Sequence, residues 1–145
     1  MKRFVLYVLC LLLLATNVEA QVLQLITEDE AHLPPAPESK EQVTRAITRG
    51  PGITLASADT VKRAGFPFHI VFEPRGGVSV DPASVRILYL KNQPVDLTER
   101  LKGQIRPEGV DVPVATAPTG EHPFQVTVRD SNGRQSVKKF KLVVR

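Results

Sequence analysis

Apolar residues recur at every second position over most of the chain beyond residue 52, and this period predicts strands. Phe66, Phe68, Ile70 and Phe72 alternate with Pro67, His69, Val71 and Glu73, which places four large apolar side chains on one face of an extended segment. Ile53 and Leu55 form a shorter run ahead of it. "PRGGVSVDP" supplies the turn residues that end the segment. Val85 to Lys91 then puts Val85, Ile87 and Tyr89 on one face and Leu88 and Leu90 on the other. "PVDLTERLKGQI" predicts a short edge strand over Val95 to Thr98 and one helical turn, with Leu97, Leu101 and Ile105 at helical spacing. Val110, Val112 and Val114 predict another strand. Pro113 has no donor to give a ladder and so assigns that strand an edge position or an outward-facing donor. The closing stretch, "GEHPFQVTVRDSNGRQSVKKFKLVV", reads as a hairpin. Phe124, Val126 and Val128 share a face, Asn132-Gly133 gives the bend its positive φ, and Phe140, Leu142 and Val144 return on one face. Six to seven short strands with regular turns and no long helix predict an all-β fold, an antiparallel sandwich.

The first fifty residues follow other rules. Lys2 and Arg3 precede an unbroken apolar run from Phe4 to Ala15, and Thr16 to Ala20 ends in small residues, the pattern of a signal peptide cleaved after Ala20. A run of that length is short of the roughly 20 residues needed to cross a bilayer, so no transmembrane anchor is expected after cleavage. Residues 21–51 have the composition of an extended acidic leader. "LPPAPES" predicts a polyproline-like segment, Ser39 caps a short helix carrying Val43, Ala46 and Ile47, and "GPG" breaks the chain before the compact part. The expected organisation is therefore a signal peptide over 1–20, a leader over 21–51 and a sandwich domain over 52–145, in a periplasmic or secreted protein.

The run "TGEHPFQVTVRDSNGRQS" resembles the last two strands of bacterial immunoglobulin-like domains, and "VDPASVRILYL" is similar to their middle strand. The resemblance covers roughly residues 53–145, without the cysteine pair and tryptophan of antibody-type domains. It implies an exported, non-catalytic module that binds or spaces other components of the cell envelope.

Cys10 is the sole cysteine and lies inside the apolar run, so the mature chain has neither disulfides nor thiolate chemistry and must rest on an apolar core. Formal net charge is +4, and removing Lys2, Arg3 and Glu19 leaves +3 by count. Its distribution is uneven: an acidic leader precedes a basic body. His32, His69 and His122 lack the spacing of a metal site, and Gly-x-Ser-x-Gly is absent, so no catalytic residue, metal ligand or cofactor is assigned. The alternative reading is a periplasmic metal-dependent or hydrolase-accessory protein built from the histidines and the strand-end residues Asp81, Asp96, Asp111 and Asp130. The candidate binding surface is the basic stripe of Arg129, Arg134, Lys138, Lys139, Lys141 and Arg145. Its partner would be a protein or an anionic envelope component, or the chain's own acidic leader. No aromatic set accompanies the stripe, which argues against specific nucleic-acid binding.

Overall fold

The computed structural model describes residues 21–37 and 49–145. The signal peptide and most of the helix expected after Ser39 lie outside the described residues. Two sheets stack face to face. The first has the order β1 (Leu23–Gln24), β8 (Gly109–Thr116), β4 (Phe66–Glu73), β2 (Gly52–Leu55), with β7 (Ile105–Arg106) also pairing β8. The second runs β3 (Thr60–Val61), β10 (Gln135–Val144), β9 (Gly120–Asp130), β5 (Val80–Tyr89), β6 (Val95–Asp96). Among the described residues two short α-helices, α1 (Glu28–His32) and α2 (Thr98–Leu101), and a 3-10 turn (Lys102–Gln104) lie outside the sheets.

The order β2, β4, β8, β7 against β5, β9, β10 is the A-B-E-D against C-F-G arrangement of immunoglobulin domains, with β6 extending the second sheet. The fold is immunoglobulin-like. Among the described residues all the long ladders are antiparallel, and only the two-residue pairs β1 with β8 and β3 with β10 are parallel.

The alternation read from the sequence is the alternation that packs. Phe66, Phe68, Ile70 and Phe72 are buried on β4, facing Val85, Ile87 and Tyr89 of β5 and Phe124, Val126 and Val128 of β9. Phe68 and Phe124 join the two layers with ring centroids 5.5 Å apart and planes tilted by 60°, an offset geometry that aromatic pairs favour. With about 1.5–3 kcal/mol for each large apolar side chain removed from water, this layer is the source of stability in a chain without disulfides.

Strand β8 departs from expectation. It is not an edge: β4 flanks one side, while β7 and β1 pair the two ends of the other. Pro113 sits between those ends, where the ladder to β4 shifts register between Phe66 and Phe68, and a bulge is where a sheet accepts proline. The shift also changes which residue points inward. Val110 and Val112 are buried as predicted, but Ala115 takes the next core position and Val114 is half-buried.

Residues 21–37 pack against the sandwich, although their composition reads as a tether. Leu25 and Ile26 are each only 1% exposed and belong to the core. Strand β1 adds to β8 in parallel, and Leu25 N donates to the Thr116 carbonyl at 2.9 Å. Helix α1 follows because Thr27-Glu28-Asp29-Glu30 is a capping box: Thr27 Oγ1 accepts from Glu30 N, and Glu30 Oε2 accepts from Thr27 N. Arg100 on α2 clamps this turn. Its Nη1 and Nη2 reach the two Glu30 oxygens at 3.0 and 2.7 Å, and Nη1 also donates to the Leu25 carbonyl at 2.6 Å. Lys91 Nζ donates to the Ala31 carbonyl at 2.7 Å, and Pro35 forms a bridge with Lys91.

Candidate binding surface

The hairpin β9–β10 carries all six basic residues singled out in the sequence, in unbroken register from Gln135 opposite Arg129 to Val144 opposite Gly120. Its bend is organised by Asp130. The buried carboxylate accepts from Asn132 N at 3.0 Å and Arg134 N at 2.9 Å through Oδ1, and from Arg134 Nε at 2.7 Å through Oδ2. Burial alone would raise the pKa of this carboxyl, but the hydrogen bonds from Arg134 and Asn132 and the guanidinium charge hold it below its usual value. Gly133 alone supplies the positive φ, at 76°, and Asn132 does not share it. Asp130 and Arg134 are thus fastened into the frame rather than offered to a partner.

The remaining basic residues divide further. Arg129 Nε donates to Gln135 Oε1 across the hairpin at 2.9 Å. Lys141 pairs with Glu121 at 3.1 Å in an exposed ion pair, a kind worth little in water. Lys139 projects from the same outer face as Lys141, on alternate residues of β10. Lys138 lies on the other side of the strand, with Nζ 5.4 Å from the centroid of the Phe140 ring. Arg145 follows the last strand residue, where its backbone pairs with Val61 and Arg63. The stripe runs the length of one strand, roughly 30 Å, instead of gathering into a patch.

What brings Lys138, Lys139 and Lys141 together is an open strand edge. The chain crosses from the first sheet at β2 to the second at β3, and β3 pairs only with Val143 and Val144 of β10. Val143 N donates to Asp59 O and Arg145 N to Val61 O, so the odd-numbered residues of β10 direct their backbone groups away from β9. Gly50 covers the first of these, since a Cβ placed on it would stand 2.8 Å from the Gln135 carbonyl oxygen. Among the described residues nothing pairs with the outward N–H and C=O of Val137, Lys139 and Lys141. Beside this edge, between β2 and β10, is a recess of about 290 Å³ lined by Ile53, Glu73, Arg75, Ser136, Val137 and Lys138. Ser136 Oγ is buried there with no hydrogen-bond partner among the described residues.

The ion-paired carboxylates of residues 21–37 do not lie on this edge. Glu28 pairs with Arg63 at 2.9 Å and Glu30 with Arg100 at 2.7 Å, so these carboxylates meet arginines other than those of the stripe. Glu38 and Glu41 lie outside the described residues.

Apart from His69 and Asp111, the histidines and strand-end aspartates of the alternative reading do not meet one another. Asp81 Oδ1 accepts from Ala83 N in its own turn, Asp96 accepts from Thr98 N and pairs with Arg86, and His32 Nδ1 meets the Glu28 carbonyl. Burial opposes ionisation of Asp96, while the hydrogen bonds from Thr98, the largest effect, and from Arg86 hold its carboxyl low. His69 has a carboxylate partner: Nδ1 lies 2.7 Å from Asp111 Oδ1, directly across the β4–β8 ladder. No pattern in the sequence signals that pair, because it depends on strand register. The pair stands at the rim of a shallow recess of about 400 Å³ on the outer face of the first sheet, which Val71 and Arg106 also line. Among the described residues, no three histidine, cysteine, aspartate or glutamate side chains converge as a metal site, and no helix is long and apolar enough to cross a membrane.

No family model matches the chain, and no curated protein matches it. Among solved structures the chain is similar to one of murine CRIg, at 14% identity and a TM-score of 0.41, covering 65% of this chain and 97% of that one. The immunoglobulin-like assignment rests on strand order and register, not on that likeness.

Proposed function

We propose that this protein is an exported, non-catalytic immunoglobulin-like module of a bacterial envelope that binds or spaces other components at the cell surface or in the periplasm. The observation that carries this reading is the outer edge of β10 from Val137 to Lys141, whose outward backbone groups have no partner among the described residues and which stands beside three lysines. Native sheets cover, shorten or twist away such an edge, or blunt it with charges such as these lysines, which hold off a second copy and leave the edge to an oppositely charged partner. The positively charged start, the apolar run and Ala20 support export. Several polar groups of the alternative reading are used internally: Asp130 in the bend, Asp81 and Asp96 in their turns, and His122 in the core.

A photo-crosslinking residue placed at Val137, with Glu99 on α2 as the control position, tests the reading in the native envelope. A discrete adduct from position 137 that is absent from position 99 is expected. Equal adducts from both positions, or none from position 137, would overturn it.

A further inference from the structure

We infer that the open edge of β10 takes an extended acidic peptide as an added strand, a statement that rests on the binding-module reading and names the chemistry of its partner. Three observations point there. First, the outward N–H and C=O groups of Val137, Lys139 and Lys141 have no described partner, and they repeat at the two-residue spacing that a strand of any sequence satisfies. Backbone pairing therefore provides the grip without a tailored pocket. Second, lysines outnumber the carboxylates along the open run, with Glu73 on the far wall of the recess. Lys139 and Lys141 stand on the outer face and Lys138 beside the recess, with Glu121 the one carboxylate paired among them. Third, the recess at the start of the open run holds a buried hydroxyl, Ser136 Oγ, unpartnered among the described residues, with Lys138 also lining it. A carboxylate side chain of the incoming strand entering there would accept from Lys138, and from Ser136 Oγ once Gly50, which packs against that hydroxyl, gives way.

A second copy of this chain is the competing occupant, and charge argues against it. Two β10 edges side by side would set lysine against lysine, and like charges across a strand pair are destabilising. Those same lysines favour a strand with aspartate or glutamate at alternate positions. Exposed Val137, at 50%, offers the apolar contact between them.

The test uses the purified chain and synthetic peptides of alternating glutamate and valine, their lysine counterparts, and acidic peptides N-methylated at alternate amides. Binding of the acidic peptide at least tenfold tighter than the lysine one is expected, with a further loss of tenfold or more on N-methylation of the pairing amides. Val137→Pro removes an N–H that faces away from β9 and should abolish binding. The charge-reversing pair Lys138→Glu and Lys139→Glu leaves the backbone alone, and it should transfer preference to the lysine peptide. Binding indifferent to N-methylation would reduce the edge to a charge attraction and overturn the inference. A dimer of the free chain that the charge-reversing pair does not weaken would also overturn it, giving the edge to a second copy. A crosslink at position 137 in the envelope, together with acidic peptides that neither bind nor block it, would leave the binding-module reading standing and remove this inference alone.

Discussion

The Tyr89 hydroxyl lies 2.9 Å from His122 Nδ1 between neighbouring strands of the second sheet, and the two rings are tilted by 54° with centroids 5.7 Å apart. His122 Nε2 lies 2.7 Å from the Pro118 carbonyl oxygen, four residues upstream. A carbonyl can only accept, so Nε2 carries the hydrogen and Nδ1 accepts a hydrogen bond from the Tyr89 hydroxyl. The ring is fully satisfied as a neutral imidazole. In immunoglobulin domains a tyrosine at the start of strand F bonds back to the backbone in this way; here a histidine holds the corner and a tyrosine of β5 completes it.

That arrangement sets a pH dependence. Burial lowers the pKa of His122 from 6.5, the Pro118 carbonyl works in the opposite direction, and the charge of Lys91 lowers it further. The unfolded chain therefore binds the proton more readily than the folded one, and stability must fall as pH drops below about 6.5. This loss begins above the range in which the carboxylates titrate. Urea denaturation midpoints measured between pH 7.5 and 5 should decline in the wild type and stay flat in His122→Phe. The variant itself starts lower, by about 1–3 kcal/mol, because the Tyr89 hydroxyl loses its buried partner. A flat wild-type profile over that window would contradict the neutral corner.

The clamp of Arg100 on Glu30 makes residues 21–37 part of the folded unit. Hydrogen bonds from Arg100 hold the Glu30 carboxyl below its ordinary value of 4.5, against the opposing effect of burial, with Thr27 N adding to the clamp. Its contribution is present above about pH 4.5 and lost as pH falls further. Arg100→Ala should destabilise by about 1.5–3 kcal/mol, the scale of hydrogen bonds to a charged group. Ile26→Ala should lower stability by about 2–5 kcal/mol through the core cavity it leaves. Limited proteolysis would show the same dependence, with both variants cut within residues 21–37 faster than the wild type. Equal cutting rates would mean that the leader is bound only loosely.

Gly109 begins β8 at φ 153°, opposite Val71, and a Cβ there would meet the carbonyl oxygen of Ile70. Backbone does not yield as the end of a side chain does. Gly109→Ala is expected to destabilise by about 3 kcal/mol or more, from strained φ and steric conflict together. Gly76 shares a positive φ but opens on empty space, so Gly76→Ala provides the comparison. It carries the φ term alone and should cost about 1–2 kcal/mol. Thermal melts of the two variants separate the contributions.

Periodicity made the core strands legible. On β4 the alternation of Phe66, Phe68, Ile70 and Phe72 with smaller or polar residues admits one buried face, and the sheet uses it. The same logic failed at Val114, because a bulge at Pro113 changes register without changing composition. The packing of residues 21–37 is hidden in the sequence for a different reason. Their acidic charge and prolines outweigh two buried side chains, Leu25 and Ile26, in any count of composition, although Thr27-x-x-Glu30 was a readable capping signal. The basic stripe could be listed from sequence, but whether each charge was free could not. That depended on long-range register and on the sheet change between β2 and β3, which exposes Lys139 while Arg134 is drawn onto buried Asp130.

Ser136 and Gly50 stand on opposite sides of one contact, and substitution should move them in opposite directions. A Cβ on Gly50 would approach Ser136 Oγ to 2.6 Å and the Gln135 carbonyl oxygen to 2.8 Å. Gly50→Ala must therefore displace the start of β10 and is expected to destabilise by about 1–3 kcal/mol, the usual range for overpacking. Ser136→Ala deletes a buried hydroxyl without a partner among the described residues. Its removal relieves a desolvation cost, so stability should hold or rise by up to about 1 kcal/mol. Urea midpoints at unchanged m-value provide the measurement. A loss above about 1 kcal/mol in Ser136→Ala would show that the hydroxyl is bonded in the free protein, and would withdraw it from the set of groups waiting for an incoming strand.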